Sequence, residues 1–263
     1  MTIRRPRNAQ AAACRGIVVG IGLLLAGCHS SSAPTEKAIV PTPVNPATAG
    51  RIQVEVRYAE TVPTPKAFDM RSAPRCAAAH PTPAYDQSLL VQEGRVANAV
   101  VWIKQGLEHW AFAPPATPVV IDQKGCLYAP HVAAAMVGQP VEFRNSDSAA
   151  HNIHAHPHVV PAWNFMLGRK GASRTLSCDR PEVAIPIGCD IHPWMRGYLA
   201  VVANPYFAVT PADGSVTLRQ VPPGSYVVAA WHEKLGTREQ HVTLPPKGTV
   251  TVRLQYGPAP RSP

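Results

Sequence analysis

Gly188-Cys189-Asp190-Ile191-His192-Pro193-Trp194-Met195-Arg196-Gly197 runs without a break into the apolar segment Tyr198-Leu199-Ala200-Val201-Val202. A thiol, an imidazole and a thioether recur at every third position in a loop stiffened by Pro193. Two of these are soft ligands and one is borderline, a set suited to copper that cycles between Cu(I) and Cu(II). Upstream, Phe143-Arg144-Asn145-Ser146-Asp147-Ser148-Ala149-Ala150-His151-Asn152 closes another apolar segment and ends, past a short polar turn, in a second imidazole. His151, Cys189 and His192 with a weak axial Met195 make up the ligand set of a blue-copper electron-transfer site. Zinc would accept the Cys and His residues, but a thioether is an odd fourth ligand for it. A lone Cys or Met would read as core packing; the joint spacing carries the inference.

With these residues in place, the chain resembles the cupredoxins, over roughly Val119 to Ala203. The match includes Gly138-Gln139-Pro140-Val141-Glu142-Phe143, the Asn145-x-Asp147 turn and His151-Asn152. The tight Cys-x-x-His-x-x-Met loop followed by Arg-Gly looks most like that of amicyanins, within the plastocyanin-like group. The resemblance implies one type 1 copper, with His151, Cys189 and His192 equatorial and Met195 axial. It also implies that Asn152 ties the two ligand loops together by hydrogen bonds, fixing ligand geometry. His192, beside Pro193 and Trp194, is the expected surface exit for the electron.

The flanking sequence supports an all-β architecture. Arg51-Ile52-Gln53-Val54-Glu55-Val56-Arg57-Tyr58 alternates polar and apolar residues, as a half-buried strand does. Further strands are expected at 96–103, 118–121, 139–144 and 198–202, then at 216–219, 226–231, 240–244 and 250–254. The chain's 29 Pro residues punctuate these segments and disfavour long helices. Charged residues make up only 16% of the chain, which excludes a helical bundle or coiled coil. Asp213-Gly214, Pro222-Pro223-Gly224 and Pro246-Lys247-Gly248 supply turns. The expected fold is a Greek-key cupredoxin sandwich with extra N-terminal strands (51–203, core 119–203), followed by a second small β-sandwich (204–263). The latter, with Pro222-Pro223-Gly224-Ser225-Tyr226, resembles the transthyretin-like carboxypeptidase regulatory-like domain, in which the module is structural or adhesive. Residues 65–95 are poorly patterned and are expected to be mostly loop.

The first 27 residues read as an export leader. Arg4, Arg5, Arg7 and Arg15 accompany the apolar run 16–26, which is too short to span a bilayer comfortably. Leu25-Ala26-Gly27-Cys28 resembles the lipobox of bacterial lipoproteins, which implies lipidation at Cys28 and tethering to the periplasmic face of a membrane, with the outer membrane preferred. Residues 28–50, rich in Ser, Pro and Ala, read as a disordered tether. Subtracting the four leader arginines from 25 basic residues leaves 21 against 16 acidic, an excess of 5. That charge is spread without a Lys/Arg block, so nucleic acid is not an expected partner.

Cysteine parity adds a constraint. Of six Cys, Cys14 leaves with the leader, Cys28 is lipidated and Cys189 is a ligand, leaving Cys76, Cys126 and Cys178. Three cannot all pair within one chain. In an exported protein Cys76–Cys126 is the favoured disulfide, with Cys178 a free thiol or an intermolecular link.

His154-Ala155-His156-Pro157-His158 resembles one His-x-His pair of the multicopper oxidases. Those enzymes need four such pairs, so an oxidase is disfavoured, and the run reads as a solvated, imidazole-rich loop, with guidance of incoming copper or a weak second ion as the lesser reading. Trp231-His232-Glu233 reads as a strand end exposing polar residues. No phosphate-binding Gly loop, Gly-x-Ser-x-Gly elbow or patterned carboxylate pair is present, so no enzymatic activity is expected. The expected role is electron transfer with a periplasmic redox partner such as a c-type cytochrome or a dehydrogenase. The alternatives are a copper carrier or store, and a cell-surface binding module for carbohydrate or protein.

Overall fold

The computed structural model describes residues 41–257. The residues read as an export leader, and Cys28, lie outside the described residues. Strand β1 (Gly50–Tyr58) is followed by a single turn of helix, α1 (Pro74–Ala77), then by β2 (Val91–Gln92), β3 (Arg95–Val96) and β4 (Val100–Gln105). A central run holds β5 (Val119–Gln123), β6 (Tyr128–Ala129), β7 (Val132–Met136), β8 (Val141–Asn145) and β9 (His151–Ala155). It continues through β10 (Trp163–Leu167), β11 (Ser173–Leu176), β12 (Glu182–Gly188) and β13 (Arg196–Val202). The last strands are β14 (Phe207–Val209), β15 (Ser215–Val221), β16 (Gly224–His232), β17 (Gly236–Leu244) and β18 (Thr249–Tyr256).

The central run forms one sandwich, a cupredoxin-like body of two sheets. One sheet has the order β10-β9-β12-β13-β7 and the other β11-β8-β5-β6. Ile121, Phe143, Ile153, Ile185 and Leu199 fill the space between them. The second sandwich pairs a sheet ordered β15-β1-β3-β2, with β18 also on β1, against a sheet ordered β14-β4-β16-β17.

That second pairing moves the domain boundary expected near Asn204. β1 is hydrogen-bonded to β15 on one side and runs parallel to β18 on the other, from Arg51↔Thr249 to Tyr58↔Tyr256. β4 lies between β14 and β16. The strands of 50–105 therefore join those of 207–256 and leave the 119–202 sandwich on its own. The physical reason is a matching of apolar faces. Ile52, Val54 and Val56 are buried on one face of β1 and share a core with Leu218, Val221, Val252 and Leu254. The alternation in β1 specifies that face but not which strands complete the sheet.

The two sandwiches meet through the outer faces of β4, β16, β13 and β7. Val100, Val132 and Ala200 are buried there, and the rings of Tyr198 and Trp231 are 5.1 Å apart. These strands are apolar on both faces because both are covered. Val132-Ala133-Ala134-Ala135-Met136 has helix-favouring composition, yet is a strand paired in parallel with β13. β12 also escaped the sequence reading, since Pro186 lies inside it and Glu182–Ile185 carries a register shift.

Two local expectations change. The tether does not extend to residue 50: the Thr42 N–H donates to Ala111 O, and the Lys247 N–H to Thr48 O. Asn45 Oδ1 accepts from the Ala47 N–H and shapes the turn before β1. Trp231-His232-Glu233 is not an exposed strand end either. His232 is fully buried, and the Glu233 side chain is mostly enclosed, in a close hydrogen bond with His131 across the two sandwiches.

Burial pushes the His232 imidazole down to about 4. Its Nδ1 accepts the Lys234 N–H at 3.2 Å, and its Nε2 has no hydrogen-bond partner among the described residues. The unfolded chain protonates this group near pH 6.5, the folded chain only near 4. Unfolding therefore takes up a proton between those values: stability is complete above the unfolded value and falls as the pH drops, by up to about 3 kcal/mol. We expect urea midpoints measured at pH 7.5 and 4.5 to differ by that component in the natural chain. The component should be missing from His232→Leu; an equal pH response in the two would remove His232 as its source.

Candidate metal centre

The site lies at one end of the 119–202 sandwich, where two neighbouring strands deliver their ends together. β9 starts at His151, and β12 pairs with it through Ile187↔Ala155 and Gly188↔His154. The chain leaves β12 at Gly188, turns through residues 189–195 and returns as β13. Hydrogen bonds close that loop, with the Met195 N–H donating to His192 O at 2.9 Å and the Cys189 N–H to Met195 O at 3.1 Å. Gly197 follows because a Cβ there would lie 2.7 Å from His131 O.

His151, Cys189 and His192 come together: their donor atoms all lie within 4.8 Å of one another. His151 Nδ1 is 3.1 Å from His192 Nδ1, and Cys189 Sγ is 3.7 Å from His192 Nδ1. All three side chains are buried. Met195 is fully buried in the core cluster that also contains Cys189. Asn152 bonds to the 189–195 loop. Its Oδ1 accepts the Asp190 N–H at 2.7 Å, and its Nδ2 donates to Asp190 Oδ2 at 2.7 Å and to Asn164 Oδ1 at 2.9 Å. It thus binds the start of β9 to the 189–195 loop.

Electrostatics follow from this packing. Burial pushes the Cys189 thiol up. Hydrogen bonds from His151 and from the backbone N–H groups of Asn152, Ile191 and His192 outweigh it and hold the thiol below its ordinary range. Burial pulls His151 down, but the hydrogen bonds with Asp147 and Cys189 raise it on balance. His192 is lowered by burial and by the neighbouring His151. A thiol biased toward thiolate beside two facing imidazole nitrogens is a donor set with room for one soft or borderline cation.

Asp147 is a site residue that sequence reasoning passed over, although it stood inside the quoted Asn-x-Asp turn. Its carboxylate is 3.0 Å from His151 Nε2 and accepts the Gly125 and Cys126 N–H groups, each at 2.7 Å. A carboxylate on the second ring nitrogen orients an imidazole and raises its basicity. The turn forms because Asn145 Oδ1 accepts the Asp147 N–H, while Asn145 Nδ2 donates to the Ala149 and Leu167 carbonyls.

The Cys76–Cys126 disulfide is present, with an S–S distance of 2.02 Å and Cα atoms 5.5 Å apart. What sequence could not show is its place: both sulfurs lie within 4.8 Å of a His192 ring nitrogen. Bonded to each other, they cover the imidazole and are not ligands. The Trp194 ring packs 5.3 Å from His192 and donates from Nε1 to Cys126 O at 3.1 Å. His192 is consequently 6% exposed, and the expected surface exit at its ring is closed. Trp194 instead lines a cavity of about 790 Å³ with Tyr128, His131, Arg196, Tyr198 and Glu233. Cys178 and Cys189 are the free thiols among the described residues.

No protein-family model and no curated protein sequence matches the chain. Its neighbours among solved structures are cupredoxins. A Cu-containing nitrite reductase from Thermus scotoductus SA-01 is 24% identical with a TM-score of 0.31, over 38% of this chain and 25% of that one. The chain thus spans a quarter of the reductase's length. The Cu(I) form of an amicyanin carrying a methionine-to-glutamine substitution is 23% identical with a TM-score of 0.29, covering 32% of this chain and 81% of that one. The Cu(I) form of an amicyanin carrying a methionine-to-alanine substitution gives 23% and 0.29 over 38% and 97%.

The two free thiols are equally hidden, at 5% and 6% exposure, so thiolate fraction decides their reactivity. Burial, with Asp179 and Glu182 nearby, pushes Cys178 up to about 11, whereas Cys189 is held down. Brief iodoacetamide treatment of the metal-free native protein, followed by peptide mass mapping, is expected to label Cys189 before Cys178. The reverse order would contradict the electrostatics described above.

Proposed function

We propose that the chain is an exported, lipid-tethered electron-transfer protein. In this reading His151, Cys189, His192 and Met195 would hold one copper. The observation that carries the reading is the convergence of two imidazole Nδ1 atoms and a thiol held below its ordinary range in one buried pocket. When bound, copper would supply a one-electron couple.

The chain's own residues do the rest. Asp147 orients His151 from its far nitrogen. Asn152 and Asp190 keep the two ligand-bearing segments in register. The disulfide and Trp194 exclude water from His192, and a rigid, dry site keeps its geometry when its charge changes. Trp194 is the aromatic link from His192 to the surface cavity, and we assign the docking of a periplasmic redox partner, such as a c-type cytochrome or a dehydrogenase, to that face. The Cys28 lipid anchor and the Ser/Pro-rich segment after it would hold this face within reach of a membrane-associated partner.

Titrating reduced, purified protein with Cu(II) is expected to give an intense visible thiolate-to-copper band, bleached by reductant and restored by oxidant. Cys189→Ser should lose the band; an equally intense band in that variant would overturn the ligand assignment. Copper bound in stoichiometric amount without the band would move the reading to a carrier or store.

Met195→Gln should retain copper but lower the reduction potential, measured by equilibrium redox titration. An unchanged potential would deny Met195 a place among the ligands.

A further inference from the structure

His154 and His156, beside the candidate centre, lie on the face turned away from it. Along β9, His151, Ile153 and Ala155 are buried facing the core. The alternate positions Asn152 and His154 fall on the other face, as does His156 one residue past the strand, whose N–H still bonds to Pro186 O at 3.1 Å, since side chains two apart in an extended segment share a side. The rings of His154 and His156 stand with centroids 4.0 Å apart, tilted by 38°. His154 is 32% exposed and His156 is open to solvent. His154 Nδ1 is 2.9 and 3.2 Å from the two oxygens of Asp190. Asp190 is itself fixed, accepting from Asn152 Nδ2 at 2.7 Å and Asn164 Nδ2 at 3.1 Å.

A hydrogen bond from Nδ1–H to a carboxylate selects one imidazole tautomer and leaves Nε2 with a free lone pair. A carboxylate behind an imidazole is the usual support of a metal-binding histidine. Two adjacent imidazoles on one face, their rings 4.0 Å apart and the first braced in this way, are placed to share a cation. We propose that His154 and His156 form a second, surface metal site, a bis-imidazole chelate for a divalent first-row cation, with Asp190 as the positioning residue. Among such cations nitrogen ligands hold copper(II) most tightly, and water completes its coordination. Its ligands are distinct from those of the Cys189 centre, with which it shares only the Asp190 support, and it does not depend on copper binding there.

The test counts equivalents of Cu(II) bound to the purified full chain by calorimetry, with electron paramagnetic resonance reading the ligand type. His154→Gln/His156→Gln is expected to bind one equivalent fewer than the natural chain. That difference holds whether the total falls from two to one or, if the Cys189 centre proves not to take copper, from one to zero. The missing equivalent should be nitrogen-ligated and lack a thiolate band. Asp190→Ala should weaken it by about tenfold. Equal stoichiometry in the natural chain and the double variant would overturn the proposal, as would an unchanged resonance spectrum for that equivalent.

Discussion

The Asp147 carboxylate is the point on which the candidate centre hangs. It is nearly enclosed, with 13% of its side chain exposed, and it takes hydrogen bonds from three donors on two separate segments. Two donors are backbone N–H groups at the disulfide-bonded loop, and the third is the outer nitrogen of His151. Burial opposes its ionisation, but these bonds keep it below the ordinary carboxylate range. Without the carboxylate, two backbone donors and an imidazole would face a space that water scarcely reaches, each at the cost of a lost hydrogen bond. One side chain thus joins the disulfide cover to the first candidate ligand.

That join gives the site its shape. The Cys76–Cys126 bond holds a poorly patterned segment against His192, while Trp194 bonds to the Cys126 carbonyl. The imidazole that the loop sequence suggested as a surface contact is therefore enclosed, and Trp194 beside it lines the cavity. Glu233 and His131, one from each sandwich, line the same cavity. The second sandwich is therefore part of the surface beside the site.

The β-strand character of most of the chain was legible because alternation and Pro/Gly punctuation are local. The segments missed were those in which a local rule conflicts with the tertiary setting. Val132–Met136 is rich in Ala, yet it lies between two cores and is paired along its length with β13. β12 carries a proline and a bulge, and β9 is built from His and Asn residues whose apolar neighbours alternate too briefly to show. The boundary near Asn204 looked sound because four strands with turns do make a plausible small sandwich. That reading lacked the partners for β1 and β4, which come from about 100 to 200 residues away.

The sequence by itself put forward the candidate donor set, narrowed the disulfide to three cysteines and marked the alternating faces of the strands. These follow from residue identity, spacing and parity, which need no knowledge of the path between segments. Only the tertiary structure decided which strands share a sheet, that Asp147 stands behind His151, and that a disulfide covers His192. It also decided that His154 and His156 share an open face with Asp190 beside them. Each of these joins residues distant in sequence, and the apolar faces that bring them together are interchangeable one strand at a time. What selects one arrangement is the simultaneous burial of all the faces, a property of the folded chain as a whole.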